Sequence, residues 1–368
     1  MKRSGIKLRV PLYEGVPSER PEQAHPGLWY DKFCNCWSVR HGLWDLGTNK
    51  KRWIQTVTGQ SGDPDQIKDS IERMMSLVTA RSGTFLFMRT EGRFVTGLGQ
   101  EHPVENGFTW HPTLGTAYLP GSSVKGLVRA WAEQWEQAEK NIISRIFGEE
   151  DETAPKRVGS IIFFDALPLT SIRLETDIMT PHYVPYYQNR EENPPRDWYS
   201  PVPIPFLTVA EGQPFLFSIA PRKVNEAGEE DLQLVKGWLQ EALEWLGAGA
   251  KTSVGYGRFV IDDAEQRKYE VQREEEKERR EREAALAKMT PIEREMHADG
   301  YEEPERFMQV LTIKWLARLK EAAGTPEGKE IAERLAAWYQ TNRPKDWKKP
   351  KGKNIEKVEA IKAVLYGG

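Results

Sequence analysis

The sequence predicts an α+β fold with a ferredoxin-like (RRM-like) core in residues 81–262. Strand-like and helical segments alternate there as β-α-β and then again β-α-β, which is the order of the split βαβ plan. Both helical segments are amphipathic, as helices that cover one face of an antiparallel sheet must be. A stretch rich in proline and aromatic residues, 170–204, separates the two halves. It is too long for an ordinary loop, which indicates a functional insertion.

The first half of this core contains two β-rich runs, a helix and a strand. Residues 83–99 place the runs on either side of Glu91-Gly92, which predicts a β-hairpin. Residues 122–138 predict a helix that Ser122 or Ser123 can cap. Its apolar stripe consists of Val124, Leu127, Val128, Trp131 and Trp135. Residues 160–169, SIIFFDALPL, are typical of a buried strand.

The second half repeats this order. Residues 205–220 predict two strands around Glu211-Gly212, and residues 230–247 predict a helix. Gly247 ends that helix as a left-handed C-terminal cap would. Residues 255–262 predict the final strand.

The flanking segments predict a different organisation. Residues 1–80 are expected to be an N-terminal extension packed on the core, in which only 64–80 has clear helical spacing. Residues 263–288 are almost all charged, with opposite signs three or four apart, which predicts a solvated linking helix. Residues 289–368 hold at least two more helices and predict a helical annex.

Composition excludes several classes of protein. No run approaches the ~20 apolar residues of a membrane helix, and the first residues lack the apolar region of a secretory signal. Two cysteines in 368 residues cannot form a disulfide framework, so we expect a cytoplasmic protein. The formal charge of −3 argues against nucleic-acid binding over the whole surface, so such binding must be local.

The first candidate site is the segment YLPGSSVKGLVRAW, residues 118–131. Its candidate contacts are Gly121, Ser122, Ser123, Lys125, Gly126 and Arg129. Lys125 and Gly126 are expected in the first turn of the helix. A lysine there opposes the helix dipole, and a glycine inside a helix costs ~1 kcal/mol relative to alanine. Both choices are explained if a phosphate lies there, held by backbone N–H groups, serine hydroxyls and the ammonium. The alternative is an ordinary capped helix with an exposed lysine.

The second candidate site is the glycine-rich segment GAGAKTSVGYGRF, residues 247–259. It lacks the spacing of a nucleotide-binding P-loop and follows a helix instead of preceding one. Its candidate contacts to a polymeric phosphate backbone are Gly249, Lys251, Gly255, Tyr256, Gly257 and Arg258. As a turn, the loop would lose stability on Gly255→Ala. If the loop instead holds RNA, Gly249→Ala, Gly257→Ala or Lys251→Ala should leave the stability of the fold nearly unchanged and lower only the affinity for RNA.

The third candidate site lies in the insertion, in TDIMTPHYVPYYQNR, residues 176–190. His182, Tyr183 and Tyr186 combine stacking faces with polar groups, as single-stranded RNA recognition requires. His182 is alternatively a general acid or base that Asp177 orients.

Two further patterns are weaker. His25, Cys34, Cys36 and His41 make a thin metal candidate, but C-x-C is not a usual zinc spacing, and buried side chains are the better interpretation. The sequence therefore predicts no metal and no cofactor. Residues 343–357 carry seven cations and two acids, which fits either a solvated surface or an RNA-contacting patch.

The motifs LPGSSVKGLVR and GAGAKTSVGYGRF together resemble the RAMP superfamily of CRISPR proteins. The insertion DIMTPHYVPYY with the following DWYSPVPIPFLTV looks like the branch that supplies the sixth subunit of the type III-B Cmr complex. The resemblance covers residues 81–262. It implies a non-catalytic subunit that holds the 3′ part of the guide RNA in a ribonucleoprotein directed at foreign RNA.

The same resemblance implies partners: guide RNA, target RNA, and the fourth and first Cmr subunits. It also implies that Gly121, Ser122, Ser123, Lys125 and Gly126 are RNA contacts. Gly249, Lys251, Gly255 and Gly257 would contact the RNA backbone or shape the loop that does. The competing hypothesis is a RAMP-type metal-independent endoribonuclease that matures guide RNA with His182.

Overall fold

The computed structural model describes residues 16–40, 42–149 and 158–367. The chain divides into two compact units, Met1–Lys268 and Tyr269–Gly368. Each unit has its own hydrophobic core. The sequence also predicts residue boundaries for four segments: the N-terminal extension, the core, the linking helix and the annex. These boundaries remain predictions.

The first unit mixes helices with mostly short strands. Its α-helices are α1 (Pro26–Lys32), α2 (Lys50–Gln55), α3 (Pro64–Ala80), α4 (Gly121–Gln134), α5 (Lys140–Phe147), α6 (Val184–Gln188) and α7 (Glu226–Glu241). Its strands are β1 (Ser38–Arg40), β2 (Leu43–Asp45), β3 (Gly59–Ser61), β4 (Thr84–Thr90), β5 (Ile161–Phe163), β6 (Leu167–Pro168), β7 (Ile172–Met179), β8 (Ile204–Val209), β9 (Pro214–Pro221) and β10 (Phe259–Ile261). A π-helical turn, Ala242–Leu246, extends α7. The chain is therefore a mixed α/β protein with antiparallel sheets, as the sequence predicts at that level.

The central sheet has the strand order β10-β4-β9-β5, with β6 also paired to β9. Every pairing in it is antiparallel. Phe215, Phe217 and Ile219 of β9 enter the main core together with residues of α4 and α7, because alternate residues of a strand share a face. Ser218, on the other face, donates a hydrogen bond to Sδ of Met74 in α3 at 3.8 Å. Helices α4 and α7 thus lie on one face of the sheet, and α3 lies on the other.

The predicted β-hairpin around Glu91-Gly92 is wrong. Strand β4 pairs with β9 and β10, not with the run that follows it. That run leaves the sheet, and Phe94 exchanges backbone hydrogen bonds with Val209 of β8. Phe94 is buried edge-on against Phe215 and Phe259, so packing in the core decides the partner of this run, not the local turn signal.

The strands predicted around Glu211-Gly212 are present as β8 and β9, but they belong to different sheets. Strand β8 joins a three-stranded antiparallel sheet of order β3-β7-β8. Strand β7 lies inside residues 170–204, the stretch predicted to be an insertion. The segment predicted as one strand at 160–169 forms two short strands, β5 and β6, which both pair with β9.

Helices α3 and α7 begin and end at or near the residues predicted from the sequence. Helix α3 occupies residues 64–80, and its start is capped by the Asp63 carboxylate, which accepts the N–H groups of Asp65 and Gln66. Helix α7 begins earlier than predicted, because the Asn225 side chain caps it by accepting the N–H of Gly228. Gly247 follows its π-helical turn with φ 76° and ψ 155°, so φ is positive but the residue is not left-handed helical.

The second unit is helical in its described residues. The boundary falls within α8 (Asp263–Lys288), the charged helix that the sequence predicts. The later helices are α9 (Pro291–Ala298), α10 (Pro304–Val310), α11 (Leu316–Glu321), α12 (Pro326–Asn342), α13 (Pro344–Lys348) and α14 (Asn354–Tyr366). Its core includes the fully buried side chains of Phe307, Trp315, Trp338 and Tyr339. Among the described helices of both units, none has the length and apolarity that a membrane crossing needs.

Candidate nucleic-acid interface

The start of α4 differs from the predicted capped helix. The helix begins at Gly121 after Pro120, so Ser122 and Ser123 lie inside its first turn and do not cap it. The Gly121 N–H instead donates to Oδ1 of Asp165 at 2.7 Å. A Cβ on Gly121 would lie 2.5 Å from the carbonyl oxygen of Phe163, so this glycine permits close packing of the helix on the sheet.

This arrangement removes most of the backbone donors expected for a phosphate. The N–H groups of Ser123 and Val124 both donate to the carbonyl of Pro120, at 2.8 and 3.0 Å. A carboxylate already occupies the positive end of the helix dipole. The two serine side chains remain exposed. Anion binding here therefore depends on hydroxyl groups and side-chain cations more than on free N–H groups.

The next turn of α4 carries the other candidates of this motif. Lys125 is in the second turn, not the first, and is half-buried. Gly126 is exposed, and nothing lies within 4 Å of the position its Cβ would occupy. Arg129 forms an ion pair with Glu133, with 2.7 Å between Nε and Oε1. Gly126 is thus an open site on the helix surface that no internal packing explains.

The glycine loop connects the end of α7 to β10. Positive φ angles occur at Gly247, Gly249, Gly255 and Gly257, with values between 75° and 95°. Lys251 is also left-handed, at φ 61° and ψ 29°. Such angles favour glycine strongly and explain the glycine density on conformational grounds alone.

Two of these glycines pack against backbone. A Cβ on Gly249 would lie 2.0 Å from the carbonyl oxygen of Val95, and one on Gly257 would lie 1.9 Å from that of Ala248. Around Gly255 nothing lies within 4 Å of the Cβ position. The expectation that Gly249→Ala and Gly257→Ala leave the fold unchanged is therefore wrong. These two glycines are structural, and Gly255 is the more open position.

Lys251 and Tyr256 of the loop are held by the three-stranded sheet. The Lys251 ammonium lies 5.6 Å from the ring centroid of Phe206 in β8. The Tyr256 hydroxyl donates to Oδ2 of Asp177 in β7 at 2.6 Å. The charge of Lys251 thus has an internal partner, which contradicts the expectation that it serves only an external one.

The Asp177 carboxylate also accepts from Nη1 of Arg93 at 2.7 Å. Burial raises the pKa of Asp177, but hydrogen bonds from Tyr256, the Ile178 N–H and Arg93 outweigh it, and the pKa is lowered. Burial, followed by the hydrogen bond to Asp177, raises the pKa of Tyr256 to about 12. Asp177 is therefore charged and Tyr256 neutral at pH 7, and the loop is fixed to β7.

The two motifs meet at one cleft. A cavity of about 720 Å³ is lined by residues 118–120, Ser123 and Leu127 from the first motif, and by residues 247–250 and Thr252 from the glycine loop with Leu246 before it. Its third wall is residues 96–100, Thr-Gly-Leu-Gly-Gln, with Thr109 beside it. This third wall was not predicted from the sequence, although the two closely spaced glycines in TGLGQ were a signal.

The insertion candidates do not line this cleft. His182 is exposed, and Tyr183 and Tyr186 are half-buried beside and within α6. The guanidinium of Arg190 lies 5.7 Å from the ring centroid of Tyr186. Asp177 does not orient His182, because its carboxylate is taken by Tyr256 and Arg93. The predicted acid–base pair is therefore not formed.

The weak metal-site candidate of His25, Cys34, Cys36 and His41 does not form a metal site in the described part of the chain. No group of three or more His, Cys, Asp or Glu side chains there could hold a metal ion. Cys34 is buried, which raises the pKa of its thiol to about 11, and a ring nitrogen of His25 lies 3.0 Å from the carbonyl oxygen of His111. His41 lies outside the described residues.

Sequence comparisons identify relatives of this chain. Residues 87–260 match the family model of the RAMP superfamily. The CRISPR system Cmr subunit Cmr6 of Pyrococcus furiosus is 36% identical over 244 residues, which span 51% of this chain and 69% of that protein. The Cmr6 subunit of Saccharolobus solfataricus is 28% identical over 166 residues, which span 44% of this chain and 50% of that protein.

Two solved structures contain similar chains. One is a cryo-EM structure of a type III-B Cmr-β complex bound to cognate target RNA, with a TM-score of 0.49 and 22% identity over 59% of this chain and 72% of that chain. The other is the crystal structure of Cmr6 from Pyrococcus furiosus, with a TM-score of 0.32 and 30% identity over 49% of this chain and 97% of that chain. Both TM-scores lie below 0.5, which is too low to establish a shared fold.

Proposed function

The chain belongs to the Cmr6 family of the RAMP superfamily, and from this premise we propose that it is a guide-RNA-binding subunit of a type III-B Cmr complex. The observation that carries the proposal is the shared cleft, because two motifs more than 100 residues apart in sequence form its walls. The RNA backbone is the ligand proposed for it. Contacts near the 3′ end of the guide are the finer part of the proposal.

The chemistry of the cleft suits a sugar-phosphate chain. Three of its walls include glycine or small polar residues, which leave space for a backbone to approach. The exposed Ser123 lines the cleft and the exposed Ser122 is next to it on α4, so both hydroxyl groups offer hydrogen bonds to phosphate oxygens. Lys125 is not a lining residue, but it follows in the next turn of α4 and adds a cation beside the cleft, and a lysine acts on phosphate as a point charge. Such contacts position RNA without reading its sequence.

A ferredoxin-like core is part of this proposal. The strand order β10-β4-β9-β5 and the two helices on one face support it, since these elements follow the chain order β-α-β-β-α-β. We propose β7, β8 and the residues between them as its insertion. The aromatic and cationic side chains of the insertion then lie outside the cleft, as a second place where RNA bases can stack.

The proposal assigns no catalysis to this chain. The competing hypothesis, a metal-independent endoribonuclease using His182, needs a group that orients the imidazole. Asp177 was the candidate, and it is paired with Arg93 and Tyr256 instead. Since no described carboxylate orients the imidazole, His182 fits contact or packing better than acid–base chemistry.

The proposed assembly includes other molecules. The fourth and first Cmr subunits are the proposed neighbours, target RNA is the proposed second nucleic acid, and the cytoplasm is the proposed compartment. Foreign RNA is the proposed target of the whole complex. These assignments rest on membership of the Cmr6 family.

Cross-linking tests the proposal. The protein is assembled with guide RNA and the other Cmr subunits, irradiated with ultraviolet light, and digested for peptide mass spectrometry. We expect RNA adducts in peptides that contain residues 96–100, 121–129 and 247–258. Adducts confined to peptides outside these three segments would contradict the assignment of the cleft.

A further inference from the structure

Several cations of the second unit form ion pairs with carboxylates. Lys314 lies 2.7 Å from Asp299 and 2.8 Å from Glu295. Arg318 lies 2.8 Å from Glu327, and Arg334 pairs with Glu293. Each of these three positive charges is paired with a carboxylate of the same unit.

Residues 345–357, on and between α13 and α14, are different. The six lysines of this stretch make no ion pair with any carboxylate in the described residues: Lys345, Lys348, Lys349, Lys351, Lys353 and Lys357, here called the lysine surface. The two acids of the same stretch are engaged with other groups. Asp346 accepts from Asn354 and lies 3.7 Å from Arg343, and Glu356 lies 3.2 Å from Lys320. The positive charge of the lysine surface is therefore left without compensation.

A groove marks one end of this surface. A cavity of about 420 Å³ lies between α11, α14 and the π-helical turn Leu311–Trp315, and Lys353 and Lys357 are among its lining residues. The Lys357 ammonium donates to Oγ1 of Thr312 at 2.6 Å. Burial, and then the nearby charges of Lys353 and Arg343, lowers the pKa of Lys357. Like charges are thus crowded together here, and Glu356, which also lines the groove, is paired with Lys320.

The composition of the surface indicates its partner. Lysine is depleted at the centres of protein–protein interfaces, which contain aromatic and other apolar side chains. A membrane-binding helix needs a continuous exposed apolar face, but Val358 and Ile361 of α14 are buried in the core of the unit, and the exposed Ile355 and Tyr366 lie at opposite ends of the helix. Repeated lysines on flexible stems are suited to a polymer of phosphates, because each ammonium attracts a phosphate without a fixed geometry.

We propose that the lysine surface is a second nucleic-acid-binding site, separate from the cleft, which takes the phosphate backbone of a single strand without reading its sequence. This second site goes beyond the proposed function, because the cleft is in the first unit and the lysine surface is in the second. Binding at this site is dominated by counterion release and is therefore strongly salt-dependent.

The test is a matched pair of triple variants of the full chain. Lys348→Ala/Lys349→Ala/Lys351→Ala removes three exposed, unpaired charges of the surface. Lys277→Ala/Arg279→Ala/Arg280→Ala removes three charges of α8 that lie near Glu274, Glu276 or Glu283, and it is the control for net charge. Affinity for fluorescent oligouridine and for oligothymidine of equal length is measured by anisotropy over a range of salt concentrations.

We expect the first variant to keep the melting temperature of the parent and to bind both probes more weakly. With ~0.7 released ions per phosphate contact, its slope of log affinity against log salt should fall by about 2. The control should keep both affinity and slope. Equal losses in the two variants, or an unchanged slope in the first, would overturn the proposal. Weaker binding of oligouridine alone would indicate contacts to ribose and would overturn a purely phosphate-based site.

Because the cleft residues are intact in both variants, this outcome is independent of the proposed function. If the lysine surface does not bind nucleic acid, the triple variant has the same salt slope as the parent. If the cleft does not bind RNA, substitutions at the cleft leave RNA affinity unchanged. Combining Gly126→Ala with the triple variant separates the two cases further. Two independent sites should give additive changes in binding free energy.

Discussion

The hydroxyl of Tyr256 donates a hydrogen bond to Asp177 at 2.6 Å and thereby joins the glycine loop to strand β7 of the three-stranded sheet. Arg93 binds the same carboxylate oxygen, so three segments far apart in sequence meet at one charged group. The loop that lines the cleft is consequently fixed in place by residues of the proposed insertion.

This relationship predicts a specific pH dependence. The pKa of Asp177 is lower in the folded chain than in the unfolded chain, so its stabilising effect is present above the unfolded pKa of about 4. The effect is lost as the pH falls through the lower, folded value. We expect Asp177→Asn to be less stable than the parent at pH 7 and to lose less stability below about pH 4. Urea unfolding at several pH values measures this, and parallel curves for the two proteins would contradict it.

The glycine loop predicts an order of stabilities. Gly249→Ala and Gly257→Ala force a Cβ into carbonyl oxygens at 2.0 and 1.9 Å and also strain a positive φ, so both should destabilise the fold by well over ~1 kcal/mol. Gly255→Ala strains only φ, which costs ~1–2 kcal/mol. Chemical denaturation of the three variants gives the order. A greater loss in Gly255→Ala than in the other two would show that the loop is packed differently.

Lys125 should contribute to RNA affinity through charge alone. We expect Lys125→Ala to weaken binding equally for RNAs of different sequence and to lower the salt slope by about 0.7, the effect of one phosphate contact on a single strand. Lys236→Ala is the matched control, because Lys236 is likewise a half-buried lysine on a helix of the same layer. A change in sequence preference, or the same loss in the control, would count against a phosphate at Lys125.

His182 should not be needed for RNA cleavage. Purified protein is incubated with repeat RNA in EDTA, which removes divalent metals, and the products are resolved on a denaturing gel. We expect no discrete cleavage by the parent or by His182→Ala. Discrete products from the parent that disappear in His182→Ala would establish the endoribonuclease hypothesis instead.

Local patterns allowed much of the fold to be predicted. Amphipathic spacing located α3, α4 and α7, and the alternation of strands and helices predicted the elements of the central sheet. The pairing of strands was harder to predict. Phe94 pairs with β8 because it is buried against Phe215 and Phe259, and these long-range contacts are not encoded in local residue spacing. The hairpin prediction failed for that reason.

The site shows the same division. The motifs at 118–131 and 247–259 were found from glycine and lysine placement, and both line the cleft. The roles of individual residues in them depend on long-range contacts. The Asp165 carboxylate accepts a hydrogen bond from the N–H of Gly121, and the Val95 carbonyl packs closely against Gly249. Sequence alone could not distinguish a glycine packed on backbone from one open to a partner, because both have the same residue type.

Gly126 gives the most direct test of the central claim that RNA lies against α4 beside the cleft. Gly126 and Gly237 are both exposed glycines inside helices, with nothing within 4 Å of the Cβ position. Alanine at either site should therefore raise stability by up to ~1 kcal/mol.

The measurement is guide-RNA affinity of Gly126→Ala and Gly237→Ala, with thermal unfolding of the same samples. We predict that both variants melt at or above the temperature of the parent, and that only Gly126→Ala binds RNA about tenfold more weakly, a change of ~1.4 kcal/mol. Equal RNA affinity in the two stabilised variants would contradict the placement of RNA on this face of α4.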